Sequence, residues 1–207
     1  MQEIEKFYVG DAVVKILPDD NGDHDCPITE AYGTKDKGEG LQGEGVIFAN
    51  FEKRSVLSGY HPFTDPDDAI QYAQREGWQV FNLNKYEHGG VAYSTSSGYP
   101  FNDQWDAGQV GYVLIKESAF EADKRAEIAE SWCKAVTTWC NGEYYGYVIE
   151  DRDGKHLDSC WGYDDFDFCK TEATQSANYH ADQLNVIAAA EAEAARPDMY
   201  GNGGGVP

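Results

Sequence analysis

The chain has 207 residues, with 16 Lys and Arg against 37 Asp and Glu for a formal net charge of −21; 41% are hydrophobic and 14% aromatic. That balance disfavours direct contact with a phosphate backbone, yet it holds enough Trp, Tyr and Phe to build a core and so excludes general disorder. Five cysteines at 26, 133, 140, 160 and 169 form no dense disulfide framework, and the chain has no run of about 18 apolar residues that would span a membrane. The acidic, polar opening Met1–Lys6 is not a signal peptide, so reduced thiols and a cytoplasmic location are expected.

In chain order, Ala12–Leu17 (AVVKIL) reads as a strand stopped by Pro18 and an acidic turn. Residues 33–45 hold five glycines among charges and are expected to form a mobile loop, after which Val46–Phe51 reads as a second strand. A helix begins at Pro66, with Asp65 as N-cap, Asp67 and Asp68 at the positive end of its dipole, and Gly77 as stop. Ile70, Tyr72 and Ala73 are its expected buried stripe.

Trp78–Tyr86 and Gly90–Thr95 read as a hairpin, and Gln109–Ile115 as a central strand. Residues 121–140 place Ile128, Ala129, Trp132, Cys133, Val136, Trp139 and Cys140 on one wide apolar stripe. A second hairpin spans 144–150 and 156–163. A last helix over 171–195 is expected to turn Ala177, Ala181, Leu184, Ile187, Ala188 and Ala192 inward. The expected fold is one α+β domain over 1–200, with a disordered tail at 201–207. Its single antiparallel sheet is built from hairpins, with the two long helices on one face.

Local patterns for chemistry are incomplete. Asp19, Asn21, Asp23 and Glu30 match a calcium-loop register, but His24 occupies the position that needs glycine. Cys133 and Cys140 are seven residues apart, too far for a zinc pair, and fall on the apolar stripe. His88, Ser94 and Asp106 offer the residue types of a hydrolytic triad without a nucleophile elbow. No metal and no cofactor is therefore expected. Acids cluster at 19–25, 65–68, 150–153 and 164–167.

Two segments carry a resemblance: His88–Ile115 (HGGVAYSTSSGYPFNDQWDAGQVGYVLI) and Tyr145–Gly162 (YGYVIEDRDGKHLDSCWG). Together they resemble a group of uncharacterised phage and mobile-element proteins with a pattern near His-Ser-Gly, Ser-Thr-Ser, Trp-Asp-Ser-Gly-Gln-Val-Gly, Tyr-Gly-Tyr and Asp-Ser-Cys-Trp-Gly. Gly89 and Ala107 stand where that pattern has serine. The resemblance spans about 78–163 and implies context rather than chemistry: small acidic proteins of such elements often counter host defences, some as nucleic-acid mimics.

With the charge, it implies an inhibitor of the anti-CRISPR or anti-restriction type that binds a basic, nucleic-acid-handling host protein. The expected contact is Glu150, Asp151, Asp153, Asp164, Asp165 and Asp167, with no direct nucleic acid, no membrane, and a homodimer left open. His88, Ser94, Trp105, Asp106, Gly108, Gln109 and Trp161 are expected to be structural, with Asp106 holding its loop and Gly108 and Gly111 admitting close backbone approach. The alternatives are a small nucleotide-directed enzyme at His88, Ser94 and Asp106, and an adaptor that binds through aromatic side chains.

Overall fold

The computed structural model describes residues 2–20, 22, 24–28, 45–57 and 60–195. All but the last residue of the expected 33–45 loop, most of the calcium-like register and the tail lie outside these residues. Along the chain run β1 (Glu5–Val9), β2 (Ala12–Pro18), β3 (Val46–Asn50), α1 (Pro66–Glu76), β4 (Trp78–Glu87) and β5 (Val91–Ser94). Then come β6 (Ala107–Lys116), α2 (Arg125–Asn141), β7 (Tyr145–Glu150), β8 (His156–Tyr163) and α3 (Phe166–Ala194).

The fold is α+β, with two antiparallel sheets rather than the single one expected. Their strand orders are β1-β2-β7-β8 and β3-β6-β4-β5. The two predicted hairpins therefore belong to different sheets, and each long helix covers a sheet of its own. Hairpin spacing fixes which neighbours pair but carries no information on whether two hairpins meet. The chain divides into two compact units, Met1–Gly22 with Tyr144–Pro207, and Asp23–Glu143.

In the first unit β2 pairs with β7 from Val13↔Glu150 to Pro18↔Tyr145. Ala12, Val14 and Ile16 alternate onto the face that receives Tyr147, Ile149 and the α3 stripe Cys169, Ala173, Ala177 and Ala181. Alanine every fourth residue lets α3 lie close to the sheet. That stripe ends early: Leu184 is half-buried, and Ile187, Ala188 and Ala192 are exposed, against the inward placement read from their spacing. Asp165 caps the helix, accepting from the Phe168 amide at 3.0 Å, so α3 starts five residues before its predicted position. β1, with its polar alternation EKFYV, went unpredicted.

In the second unit Phe48, Leu83, Val113, Leu114 and Ile115 fill the core with Ala129, Cys133 and Val136 of α2. Helix α1 begins as expected, with the Asp65 carboxylate accepting from the Asp68 amide at 2.9 Å and Gly77 in the left-handed region at φ 71°. Its buried positions are Ala69 and Ala73, while Ile70 and Tyr72 are half-buried. α2 starts four residues later than its apolar periodicity suggests. Trp132 and Trp139 are half-buried, packing at the margin of the core rather than in it.

β5 is an edge strand, and α2 closes it with side chains. Asn141 accepts from the Val91 amide and donates to its carbonyl, both at 2.9 Å. The Thr137 hydroxyl takes the Tyr93 amide at 2.8 Å, and Glu130 takes the Thr95 amide at 2.8 Å. The successive outward amides at 91, 93 and 95 are thus satisfied by a helix where a fifth strand would otherwise sit.

Candidate functional site

The residues picked out by sequence fall into three groups. The first is the set of acids around the β7–β8 hairpin and the start of α3. Glu150 is half-buried and holds the Lys15 ammonium at 2.7 Å, a hydrogen bond that raises the lysine pKa. Asp151 accepts from the amides of Asp153 at 3.0 Å and Lys155 at 2.8 Å, closing the hairpin turn. Asp165 is the cap of α3. These three carboxylates already hold local structure, a role not expected for any of them from the sequence. Asp153, Asp164 and Asp167 face solvent.

Helix α3 extends that acidic region. From Asp164 to Ala194 the only Lys or Arg is Lys170, and its ammonium is turned to Glu5 at 2.6 Å. Asp167, Asp182 and Glu191 are exposed along the same helix. Their spacing was visible in the sequence, but the later helix start predicted there left Asp167 outside the element.

The second group is the proposed triad, which does not assemble. Ser94 is buried; its hydroxyl donates to Glu130 at 2.7 Å and accepts from the Ser96 amide at 2.9 Å. Thr95 adds hydroxyl and amide bonds to the same carboxylate, at 2.6 and 2.8 Å. Burial pushes the Glu130 carboxyl up, but the bonds from Thr95 and Ser94 together outweigh it and hold the pKa below the ordinary value. Glu130, absent from the sequence reading, is therefore the partner of the Ser-Thr-Ser run. His88 and Asp106 do meet, Nδ1 to Oδ2 at 2.9 Å on the exposed surface, so two of the three candidates pair while Ser94 is engaged by Glu130.

The loop before β6 is built on Asp103 more than on Asp106. Its Oδ1 accepts from the amides of Trp105 at 2.8 Å and Asp106 at 3.0 Å, and these bonds lower the Asp103 pKa. The Ala107 amide donates to the Asp103 carbonyl, and the Glu87 amide to that of Asp106. Gln109 bonds Asn82 and the Gly111 carbonyl, each at 3.3 Å. Gly111 admits the close approach expected of it, since a Cβ there would collide with the Ala49 carbonyl. Gly108 has open space around it, so close packing is not the reason for that glycine. Trp105 is 84% exposed, so only its backbone contributes to the loop.

The third group is the Trp161 pair: its indole covers Gly146 on the neighbouring strand, where a Cβ would strike the ring. Beneath the opposite face Asp158 accepts from the Ser176 hydroxyl at 2.6 Å. Three of the five thiols are poorly suited to catalysis. Burial pushes Cys133 far up, and Cys140 and Cys169 up to about 11, leaving them protonated near neutrality. Among the described residues no three His, Cys, Asp or Glu side chains gather to hold a metal, and no helix is long and apolar enough to cross a membrane. An open groove of about 490 Å³ between Phe51, Glu52, Pro66, Gln109 and Tyr112 carries no reactive pair. Comparison with known proteins returns no matching family model, curated protein or solved structure.

Proposed function

We propose that this chain is a non-enzymatic inhibitor from a phage or mobile element. It acts in the host cytoplasm by occupying the basic surface of a nucleic-acid-handling defence complex, of the anti-CRISPR or anti-restriction type. The observation that carries this reading is the carboxylate row of α3. Asp164, just before the cap, and Asp167 and Asp182 on the helix itself stand in solvent, and the single lysine of the helix is turned to Glu5. Asp167 and Asp182 are separated by about 22 Å of helix at roughly 1.5 Å per residue. Carboxylates on a preformed rod lose little freedom on binding, and their uncompensated field steers basic surfaces towards them. The resemblance to mobile-element proteins supplies the biological context, and the net charge of −21 agrees with it.

The test is affinity capture from host lysate followed by competition. The captured partner should be released as salt rises from about 50 to 200 mM and should be displaced by duplex DNA. Replacing Asp164, Asp167 and Asp182 by Asn should weaken capture about tenfold at low salt, with little loss of fold stability because exposed charges contribute little to folding. Asp165 is left intact so that the helix cap survives. Unchanged affinity in the triple variant, together with retention at high salt, would overturn the charge-mimic reading.

A further inference from the structure

The loop between β5 and β6 exposes two large aromatic side chains on a hydrogen-bonded scaffold. Trp105 and Tyr99 are each 84% exposed, a state rare for Trp, whose indole is usually mostly covered. Four backbone bonds fix the loop in place: the Phe101 amide to Gly98, Asp103 to Pro100, Ala107 to Asp103, and Glu87 to Asp106. The Asp103 carboxylate and the His88–Asp106 pair add side-chain ties. The aromatics are therefore presented without the ordering cost a floppy loop would pay on binding.

The platform is predominantly acidic. Between Lys85 and Lys116 the chain contains no Lys or Arg, while Glu87, Asp103 and Asp106 all lie at this end of the sheet. Lys85 bridges Glu52 and Glu87, which leaves Asp103 and Asp106 as the carboxylates set beside the aromatic rings. Tyr86 stacks beside His88 with ring centroids 6.4 Å apart. Burial is the largest cause raising the Tyr86 pKa, and Tyr99, Asp106 and Asp103 are close enough to push it further. Aromatic faces bordered by carboxylates suit a planar cation that stacks and donates hydrogen bonds at once.

We propose that the 96–106 loop, with Trp105 and Tyr99 as anchors, is a docking surface for an arginine-bearing segment of a partner protein. The guanidinium stacks on the Trp105 indole or the Tyr99 ring, and its N–H groups reach the Asp103 and Asp106 carboxylates. Nucleic-acid bases also stack on aromatics, but the surrounding acids repel the phosphates that accompany them. This deepens the proposed function, since it rests on a basic protein partner. It concerns the second unit, so its failure can be separated from failure of the α3 row.

The probe is a labelled ten-residue Ser/Arg peptide with four arginines, compared with its lysine counterpart and with ten-residue oligo-dT, at 0.3 M salt where about a 6 Å screening length mutes general attraction. The arginine peptide should bind best. Trp105→Ala should weaken it about fivefold and Trp105→Phe less, with the arginine-over-lysine preference lost in the alanine variant. The Trp105 indole N–H resonance, identified by its absence in Trp105→Phe, should shift on titration, whereas neutralising Asp164, Asp167 and Asp182 should leave the preference intact. Equal affinity of Trp105→Ala and wild type for the arginine peptide, or tighter binding of oligo-dT, would overturn the proposal even if the α3 row proves functional.

Discussion

Two glycines separate two kinds of close approach. At 111 the obstacle to a side chain is the Ala49 carbonyl of the paired strand β3; at 146 it is the Trp161 ring, which is 41% exposed. Backbone held in a ladder cannot step aside, whereas a half-exposed indole can rotate into solvent. Gly111→Ala should therefore cost about 3 kcal/mol or more, and Gly146→Ala about 1 kcal/mol, by urea unfolding. Gly146→Ala should also red-shift tryptophan emission as the indole moves into water. Equal costs would mean that β3 yields as easily as a side chain. The sequence could single out both glycines from their place in strands but could not name the obstacle, which comes from a residue 62 positions from Gly111 and 15 from Gly146.

Among elements, the contact of α2 with β5 is the least expected. The apolar periodicity of α2 was legible, because Ala129, Cys133 and Val136 recur every three or four residues. Its polar side was not: Glu130, Thr137 and Asn141 look like solvent-facing residues until the strand edge is beside them. Helix ends were legible where local chemistry sets them, as at Asp65 and Gly77. The start of α2, which has no side-chain cap, was misplaced, and so was the start of α3 although Asp165 caps it locally; in the second half of α3 it is burial, not the helix end, that differs from the spacing.

Glu130 gives this contact a pH signature. Its folded pKa is depressed, so its contribution is present above the unfolded carboxyl value of about 4.3 and is lost as pH falls through the lower folded value. Glu130→Gln should flatten that part of the acid-stability profile measured between about pH 5 and 3. Glu130→Ala, which strands the Ser94 hydroxyl and the Thr95 amide, should cost about 1–3 kcal/mol at neutral pH. An acid limb of the same slope in Glu130→Gln would assign the titration to other carboxylates.

At the scale of the molecule the first unit is discontinuous in sequence. β2 and β7 are direct partners, and their ends meet with Pro18 opposite Tyr145 and the Asp19 amide on the Tyr144 carbonyl at 2.8 Å. That geometry is the mouth of a hairpin into which the second unit is inserted. Replacing residues 23–143 by a short Asn-Gly turn should therefore give a small protein that keeps the β1-β2-β7-β8 sheet under α3. Circular dichroism should show both helix and strand, and thermal melting should remain cooperative. A shortened chain without a melting transition would show that this core cannot stand alone. Closing a loop of some 120 residues costs only a few kcal/mol more than closing a tight turn, so the deletion should not by itself be harmful.

The same discontinuity has a consequence in time. A ribosome adding about 5–20 residues per second needs roughly 6–25 s to make the 121 residues between the two halves of the first unit. Throughout that interval the nascent chain carries β2, whose Ala12, Val14 and Ile16 are fully covered in the finished fold, with its natural partner β7 not yet made. The inserted unit can complete its own sheet meanwhile, since all four of its strands have been translated before β7 begins. The first strand pair to be synthesised thus belongs to the last sheet to close, and β2 is the segment most in need of a chaperone during synthesis.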